Sequence, residues 1–143
     1  MEQLQIHLNK FQTLEGNWIV RKRIKKNISV SGYCVIKISS NYFYEFKEDI
    51  KTNIDDKLIS GYQIFQISET KNNINFYLNT RNNKKENVYN FKKNKFYQSL
   101  YFCKKDLYLS KLKIISKNFF TIYTKINGPK KNLSIFSNYY RTI

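Results

Sequence analysis

The sequence is poor in several residue types, and each shortage narrows the range of possible functions. None of its 143 residues is alanine, one is proline, four are glycine, two are cysteine and one is histidine. A single histidine leaves little for histidine-based catalysis. Neither Cys34 nor Cys103 stands in a C-x-x-C pattern, which argues against a zinc site or a disulfide framework. We therefore expect no metal and no resident cofactor, and we expect Cys34 to be an inert, buried thiol.

Targeting and membrane signals are also missing. The first 14 residues carry charges and have no continuous apolar core, so the sequence predicts no secretory signal. No window approaches the roughly 18 consecutive apolar residues that a transmembrane helix needs. We expect no membrane as a partner.

Basic residues greatly outnumber acidic ones. The chain has 26 Lys and Arg against 10 Asp and Glu, a net charge of +16, and all but four of the basic residues are lysine. The abundant residues (Lys, Asn, Ile, Tyr and Phe) share AT-rich codons, and the scarce ones are GC-coded. This composition is typical of an AT-rich genome such as that of an organelle. The charge attracts anions, but the codon bias explains much of it.

Most of the chain follows the period of two that is typical of β-strands. About ten short runs are joined by Asn- and Lys-rich links that suit hairpin turns, and no second helix is long enough for a parallel crossover. These features predict an all-β fold, a lipocalin-like up-and-down antiparallel barrel of about 8–10 strands. The predicted strands are Asn17–Ile24, Ile28–Ser39, Tyr42–Lys47, Ile59–Ser68, Ile74–Asn79, Asn87–Lys92, Lys95–Cys103, Leu107–Ile115, Asn118–Ile126 and Leu133–Thr142.

Two segments break the alternation. Leu4, Leu8 and Phe11 have helical spacing within residues 2–14, which predicts a short amphipathic helix over residues 1–15 that caps the barrel. His7 lies in this segment and has no sequence partner that would make it a ligand or a base. The segment Glu48–Lys57 is polar and is interpreted as a solvated loop. The length predicts a single domain, residues 1–143, with the barrel over 17–142.

A glycine and the only tryptophan mark the beginning of the first strand. Gly16-Asn17-Trp18 resembles the Gly-x-Trp of lipocalins, where the tryptophan plugs the closed end and an arginine of the last strand lies over its ring. Arg141 stands at the end of the last predicted strand here. Strand alternation places Tyr139 and Arg141 on one face and Phe136 and Tyr140 on the other. The Tyr139–Arg141 pair either forms an anion site with an aromatic wall or simply closes the barrel.

The order of motifs resembles that of the S-type phycobiliprotein chromophore lyases (CpcS/CpeS). Leu14–Trp18 resembles the opening "G-x-W" of that family, and Arg21-Lys22-Arg23 stands where the family has an "S-Q-R-T"-like segment. Tyr101–Leu109 resembles a "Y-F … D-x-L-x-L" strand pair, and Phe136–Arg141 resembles an "F-x-S-E-I-R" terminus.

Three departures from the family pattern are visible. Lys22 stands at the family's arginine four residues after the tryptophan, with Arg23 beside it, and Tyr139 stands at the terminal glutamate. A "W-F-x-x-P-N-L-R" segment is missing or reduced to Asn118–Lys131. The resemblance therefore implies a diverged member, which can have lost activity.

The resemblance implies a bilin lyase of the plastid stroma. Such an enzyme holds an open-chain tetrapyrrole, for example phycocyanobilin or phycoerythrobilin, while a cysteine of a phycobiliprotein subunit adds to ring A. On this basis we expect Arg141, with Arg23 or Lys22, to bind the propionates, Trp18 and Tyr139 to form the pocket wall, and Glu45 to accept pyrrole N–H groups. No catalytic side chain is assigned, because positioning supplies most of the catalysis.

Two other functions fit the residues. One is a non-catalytic carrier, a barrel that holds a small apolar anion. The other is a nucleic-acid-binding β domain, because basic turns with interleaved aromatic residues suit a single-strand groove. The sequence leaves the identity of the bilin and the oligomeric state open.

Overall fold

The computed structural model describes residues 11–25, 28–40, 43–54, 56–79, 85–93 and 97–142. Within them, ten antiparallel strands follow one another in chain order and close into a barrel, because β10 returns to pair with β1. The predicted all-β, up-and-down barrel is therefore confirmed. The same residues contain no helix with the length and hydropathy that spanning a membrane requires.

The strands are 7 to 13 residues long. In chain order they are β1 (Gly16–Lys25), β2 (Ile28–Ser40), β3 (Phe43–Ile54), β4 (Lys57–Glu69), β5 (Asn73–Asn79), β6 (Lys85–Lys93), β7 (Tyr97–Cys103), β8 (Asp106–Ser116), β9 (Phe119–Asn127) and β10 (Asn132–Arg141).

Alternation along each strand separates the core from the outer surface. In β1, Trp18 and Val20 are buried, while Arg21 and Arg23 are exposed. In β10, Tyr139 is buried while Tyr140, its neighbour, is exposed. The two strands pair in register, Trp18 opposite Arg141. The predicted division of faces is thus confirmed on both closing strands.

The meander gives the barrel two different ends. At the closed end β1 begins and β10 ends, and β3, β5, β7 and β9 also begin there. At the open end β1, β3, β5, β7 and β9 end, and β2, β4, β6, β8 and β10 begin. Two open-end turn residues, Asp56 and Lys104, have φ values of 63° and 56°. Such values are typical of tight hairpin turns.

The segment before β1 packs against the closed end. Phe11–Leu14 forms a single 3-10 turn, and both Phe11 and Leu14 are buried. The backbone N–H of Phe11 donates to Oε1 of Glu69 at 2.9 Å, which ties the turn to the end of β4. The rest of the predicted capping helix, with His7, lies outside the described residues.

The predicted loop Glu48–Lys57 is wrong. Strand β3 continues to Ile54, and it pairs with β4 through Ile54 opposite Lys57. Glu48 is buried within this strand, with 3% of its surface exposed. This polar segment therefore forms part of a long strand. Its backbone hydrogen bonds to β4 and the Lys22–Glu48 ion pair stabilise the strand, although its side chains are mostly polar.

Candidate functional site

The closed end is plugged by Trp18 and Arg141. Trp18 is fully buried, its indole N–H donates to the carbonyl of Leu14 at 2.8 Å, and the guanidinium carbon of Arg141 lies 4.5 Å from the ring centroid. Arg141 also donates to three backbone carbonyls, those of Thr13, Glu15 and Lys117, at 2.6–2.8 Å. The arginine therefore joins the segment before β1, the end of β10 and the β8–β9 turn, and each of its three nitrogens donates to a backbone carbonyl.

Gly16 lets this arginine approach the backbone. Its φ of 140° lies in a region that L side chains rarely adopt, and a Cβ at this position would collide with Nη1 of Arg141. The glycine of the Gly-x-Trp motif therefore has a physical reason: it leaves room for the arginine that covers the tryptophan.

A cavity of about 190 Å³ lies inside the barrel, between this plug and the open end. Buried Phe46 and Tyr139 lie at its inner part, while half-buried Tyr108 and Ile135 and exposed Gln63 lie toward the open end. Aromatic side chains from β3, β4, β5, β6, β8 and β10 dominate the lining: Phe46, Phe65, Phe76, Tyr89, Phe91, Tyr108 and Tyr139.

Three polar side chains meet in the wall of this cavity. Glu48 of β3 accepts a hydrogen bond from the hydroxyl of Tyr139 at 2.6 Å through Oε1. Its other oxygen, Oε2, lies 2.7 Å from the ammonium of Lys22, which is a partly buried ion pair. One carboxylate thus connects β1, β3 and β10 across the inside of the barrel, and all three residues line the cavity.

Burial sets the protonation state of the groups around Glu48. Burial first, and then the charge of Glu48, raises the pKa of Tyr139 well above its ordinary value. The phenol therefore stays protonated and donates to the carboxylate. The same two causes raise the pKa of Cys34, so its thiol does not ionise near neutral pH. Cys34 is buried, as the sequence predicted.

Two of the six predicted site residues, Lys22 and Tyr139, line the cavity. Trp18 lies behind it, because Phe120 stands between the indole and Tyr139. The Phe120 ring stacks on Tyr139 at 4.3 Å and meets Trp18 edge-on at 4.7 Å. Arg141 closes the barrel end, whereas Tyr139, the other member of the predicted pair, lines the cavity.

The structure places Arg23 and Glu45 on the outer surface. Arg23 is exposed and lines an external groove with Phe136. Glu45 lies 3.9 Å from the ammonium of Lys37 and 3.5 Å from that of Lys47, outside the barrel. Neither of these two predicted site residues therefore lines the cavity, whereas Lys22, the alternative to Arg23, does. The physical reason is the alternation along each strand, which turns Lys22 inward beside Arg23.

Glu48 is the interior carboxylate that sequence reasoning missed. The signal was present, since Tyr44, Phe46, Glu48 and Ile50 continue one face at a spacing of two. The carboxylate also accepts a hydrogen bond from the hydroxyl of Tyr139 on the last strand, across the inside of the barrel.

The rim of the open end is rich in lysine. The described turns there carry five exposed lysines and two aspartates: Lys57, Lys104, Lys105, Lys130 and Lys131, with Asp56 and Asp106. Within the described part of the chain, no group of His, Cys, Asp and Glu could hold a metal ion. The site is therefore an aromatic cavity with one interior carboxylate and a cationic mouth.

The chain belongs to a family of unknown function, DUF6314, whose profile matches residues 14–141. The match begins just before the Gly-x-Trp and ends at the arginine that covers it, so it spans the whole barrel. No curated protein matches the sequence.

Solved structures share the fold at low identity. The S-type phycobiliprotein lyase CPES from Guillardia theta superposes with a TM-score of 0.67 at 8% identity, over 94% of this chain and 92% of that one. A de novo designed fluorescence-activating β-barrel gives 0.53 at 11% identity over 94% and 98%. The protein EF1p2_mFAP2b, bound to DFHBI, gives a TM-score of 0.52 at 12% identity over 96% of this chain and 99% of that one. These similarities establish the barrel fold.

Proposed function

We propose that this protein is a bilin lyase: it binds an open-chain tetrapyrrole in the mouth of the barrel and promotes thioether attachment to a phycobiliprotein cysteine. One observation carries the proposal. Among the described residues, the Glu48 carboxylate is the one carboxylate that lines a cavity rich in aromatic side chains, and exposed lysines lie at three turns of the open end. This arrangement matches the three chemical parts of a bilin, which are pyrrole N–H groups, conjugated rings and propionates.

The Glu48 carboxylate accepts hydrogen bonds from the pyrrole N–H groups in this proposal. Tyr139 and Lys22 orient the carboxylate, since one donates a hydrogen bond to it and the other forms an ion pair with it. Glu48 thus takes the role that the sequence assigned to Glu45. Among the described residues each carboxylate oxygen has one hydrogen-bond partner, so lone pairs remain for a ligand in this proposal.

The aromatic lining holds the conjugated rings. Phe76 lies 5.4–5.6 Å from Phe46, Phe65 and Phe91, ring centroid to centroid, so the wall is a continuous set of ring edges and faces. The cavity of about 190 Å³ is smaller than the roughly 300–1,000 Å³ of typical ligand pockets. Part of the tetrapyrrole therefore enters, and the remainder lies in the mouth.

The propionates pair with lysines of the rim. Arg141 is committed to backbone carbonyls at the closed end and Arg23 lies outside, so neither serves this purpose in the proposal. Lys104, Lys105 and Lys131 are exposed at the mouth and provide charge-assisted hydrogen bonds instead.

The chemical step needs no nucleophile from this chain. The partner's thiol adds across the exocyclic double bond of ring A: the C–S bond forms, the proton goes to the adjacent ring carbon, and nothing leaves. The protein contributes position and a fixed bilin conformation. The fold shared with CPES and the motif order support this reaction, and the AT-coded composition fits work in a plastid stroma.

The test compares Glu48→Gln with Glu45→Gln. Both change a carboxylate of β3 to an amide, one inside the barrel and one outside. Titration of the wild type with phycocyanobilin and with phycoerythrobilin should shift the visible absorption band. Glu48→Gln should weaken binding by about 10- to 100-fold, because a charge-assisted hydrogen bond contributes about 1.5–3 kcal/mol. Glu45→Gln should bind like the wild type.

Transfer to an acceptor separates a lyase from a carrier. The wild type should accelerate formation of the covalent adduct with an apo-phycobiliprotein subunit, measured by fluorescence under denaturing electrophoresis. Binding without accelerated transfer would identify a carrier. Unchanged spectra with both bilins would refute the proposal.

A further inference from the structure

Three buried hydroxyl side chains form a row across neighbouring strands inside the barrel. Ser99 of β7 pairs in register with Ser110 of β8, and Ser110 pairs with Thr124 of β9. All three are buried. The Oγ of Ser110 lies 2.9 Å from the Oγ1 of Thr124, so these two hydroxyls share a hydrogen bond. We call Ser99, Ser110 and Thr124 the hydroxyl row.

The small side chains of this row leave room for the cavity. On the same two strands, the inward positions nearer the closed end hold Leu112 and Phe120, which are fully buried and fill the space. Thr124 lines the cavity, and Ser110 supports it from β8. A buried hydroxyl costs free energy unless it is hydrogen-bonded, so an apolar core does not by itself favour Ser and Thr here. The row thus gives the cavity both space and polar groups.

The hydroxyl of Tyr89 joins the same group. Tyr89 of β6 lines the cavity, and its hydroxyl is hydrogen-bonded with those of Thr124 and Ser110. Burial above all raises the pKa of Tyr89, so the phenol keeps its proton at neutral pH. A hydroxyl has one proton to donate and two lone pairs that accept. When Tyr89 and Ser110 both donate to Thr124, the proton of Thr124 is left for a ligand.

The hydroxyl row and Glu48 lie on opposite walls of the barrel. Around the ring of ten strands, β8 is five strands away from β3 in either direction. On one wall the Glu48 carboxylate accepts hydrogen bonds, and on the other wall Thr124 has a hydrogen bond to donate. A ligand between them is therefore recognised when it presents N–H groups on one edge and a carbonyl oxygen on the other.

We propose that Thr124 donates a hydrogen bond to the carbonyl oxygen of a terminal lactam ring of the bilin, and that ring D is the end that enters. This inference rests on the proposed function. Both terminal rings of an open-chain tetrapyrrole are lactams, but ring A takes the thiol of the acceptor. Ring A therefore stays at the mouth, because Trp18 and Arg141 close the other end. Since the two walls face each other, ring D turns its carbonyl away from the N–H groups that face Glu48.

The test removes the hydroxyl and keeps the shape of the side chain. Thr124→Val acts inside the barrel, and Thr121→Val is the matched control on the outer face of the same strand. The probes are a dipyrrinone, which has two rings and a terminal lactam, and a dipyrrole of the same length without the lactam carbonyl. Absorption titration of the wild type should give a Kd about tenfold lower for the dipyrrinone. This preference should disappear in Thr124→Val and persist in Thr121→Val.

Two further variants separate ligand contact from folding. Thr124→Ser keeps the hydroxyl and should keep the preference for the dipyrrinone. Ser110 is a positioning residue, so Ser110→Ala should reduce the preference by about threefold and shift the absorption band of bound phycocyanobilin. Ser99→Ala is its control, because Ser99 accepts from the backbone N–H of Asn90 at 2.8 Å and makes no printed contact with the cavity side chains. It should leave the preference and the band unchanged.

The results divide clearly between this inference and the proposed function. Equal Kd values for the two probes in the wild type, or an unchanged preference in Thr124→Val, would overturn the lactam contact. If neither probe binds, the same comparison is made with phycocyanobilin, and equal Kd values for wild type and Thr124→Val would overturn it. A wild type that prefers the dipyrrinone but transfers no bilin to an apo-phycobiliprotein subunit would refute the lyase and support the lactam site.

Discussion

The two ends of this barrel are built on different principles. At the closed end, Trp18, Leu14 and Arg141 fill the space, and the indole N–H and the guanidinium have protein partners. At the open end, an interior ion pair borders a cavity. The residues that stabilise the fold and the residues that line the cavity thus lie at different places along the barrel axis. Substitutions at the closed end should therefore change stability more than ligand affinity, and substitutions at the open end should do the reverse.

Removing the plug should have the largest effect on stability. Trp18→Ala deletes a fully buried indole, its hydrogen bond to Leu14 and its contacts with Phe120 and Arg141. Such a deletion lowers the free energy of unfolding by about 3–5 kcal/mol. Urea denaturation followed by far-UV circular dichroism measures it.

Bilin affinity provides the other half of this comparison. Where Trp18→Ala is still folded, its Kd for phycocyanobilin should stay near the wild-type value, because the indole does not line the cavity. A loss of less than about 1 kcal/mol in stability, below the usual range for a buried large side chain, or a large loss of affinity in the folded variant would break the separation of the two ends.

A substitution at Gly16, at the beginning of the same strand, should lower the free energy of unfolding by less than Trp18→Ala does. Gly16→Ala forces an L side chain to a φ of 140° and brings its Cβ against Nη1 of Arg141. Backbone strain of this kind costs about 1–3 kcal/mol. The matched control is Gly61→Ala near the open end, where a Cβ would meet only the flexible side chain of Ile50, at 3.2 Å. Equal thermal midpoints for the two variants would contradict the role given to Gly16.

The sequence allowed most of the closed end to be predicted. The Gly16–Trp18 motif is short and local, and Arg141 follows from the alternation of the last strand. Both features can therefore be recognised in the sequence without knowledge of the fold. The number of strands follows from the spacing of turns for the same reason. The three carbonyls that Arg141 binds could not be predicted, because they depend on the segment before β1 and the β8–β9 turn meeting the end of β10, which no local pattern contains.

The open end was harder to predict because its residues look solvated in sequence. Glu48 stands beside Asp49 in a polar run, and hydropathy alone favours a loop there. Its burial is made possible by Lys22, 26 positions earlier, and Tyr139, 91 positions later. A buried carboxylate needs such partners, and only the closed barrel brings them together. Strand alternation through Phe46 was the one available signal, and it also assigns Glu45 to the outside.

The smallest effect expected is a difference in alkaline sensitivity between wild type and Tyr139→Phe. Burial and the Glu48 carboxylate raise the pKa of Tyr139 in the folded state, whereas the unfolded tyrosine titrates near about 10. Above that pH the unfolded state releases a proton that the folded state retains. The free energy of unfolding therefore falls as pH rises, by up to about 1.4 kcal/mol per pH unit for this one group.

Tyr139→Phe lacks that contribution, so its stability should decline less steeply between about pH 10 and pH 11.5, although at neutral pH it is less stable because Glu48 loses a donor. Lysine deprotonation and the titration of Cys34 occur in both proteins, so the difference between the two slopes isolates the phenol. Urea titrations at several pH values measure it. Equal slopes of unfolding free energy against pH for the two proteins would mean that Tyr139 ionises as readily in the folded state as in the unfolded state. The inner part of the cavity would then be open to solvent, and Glu48 would not be a shielded hydrogen-bond acceptor.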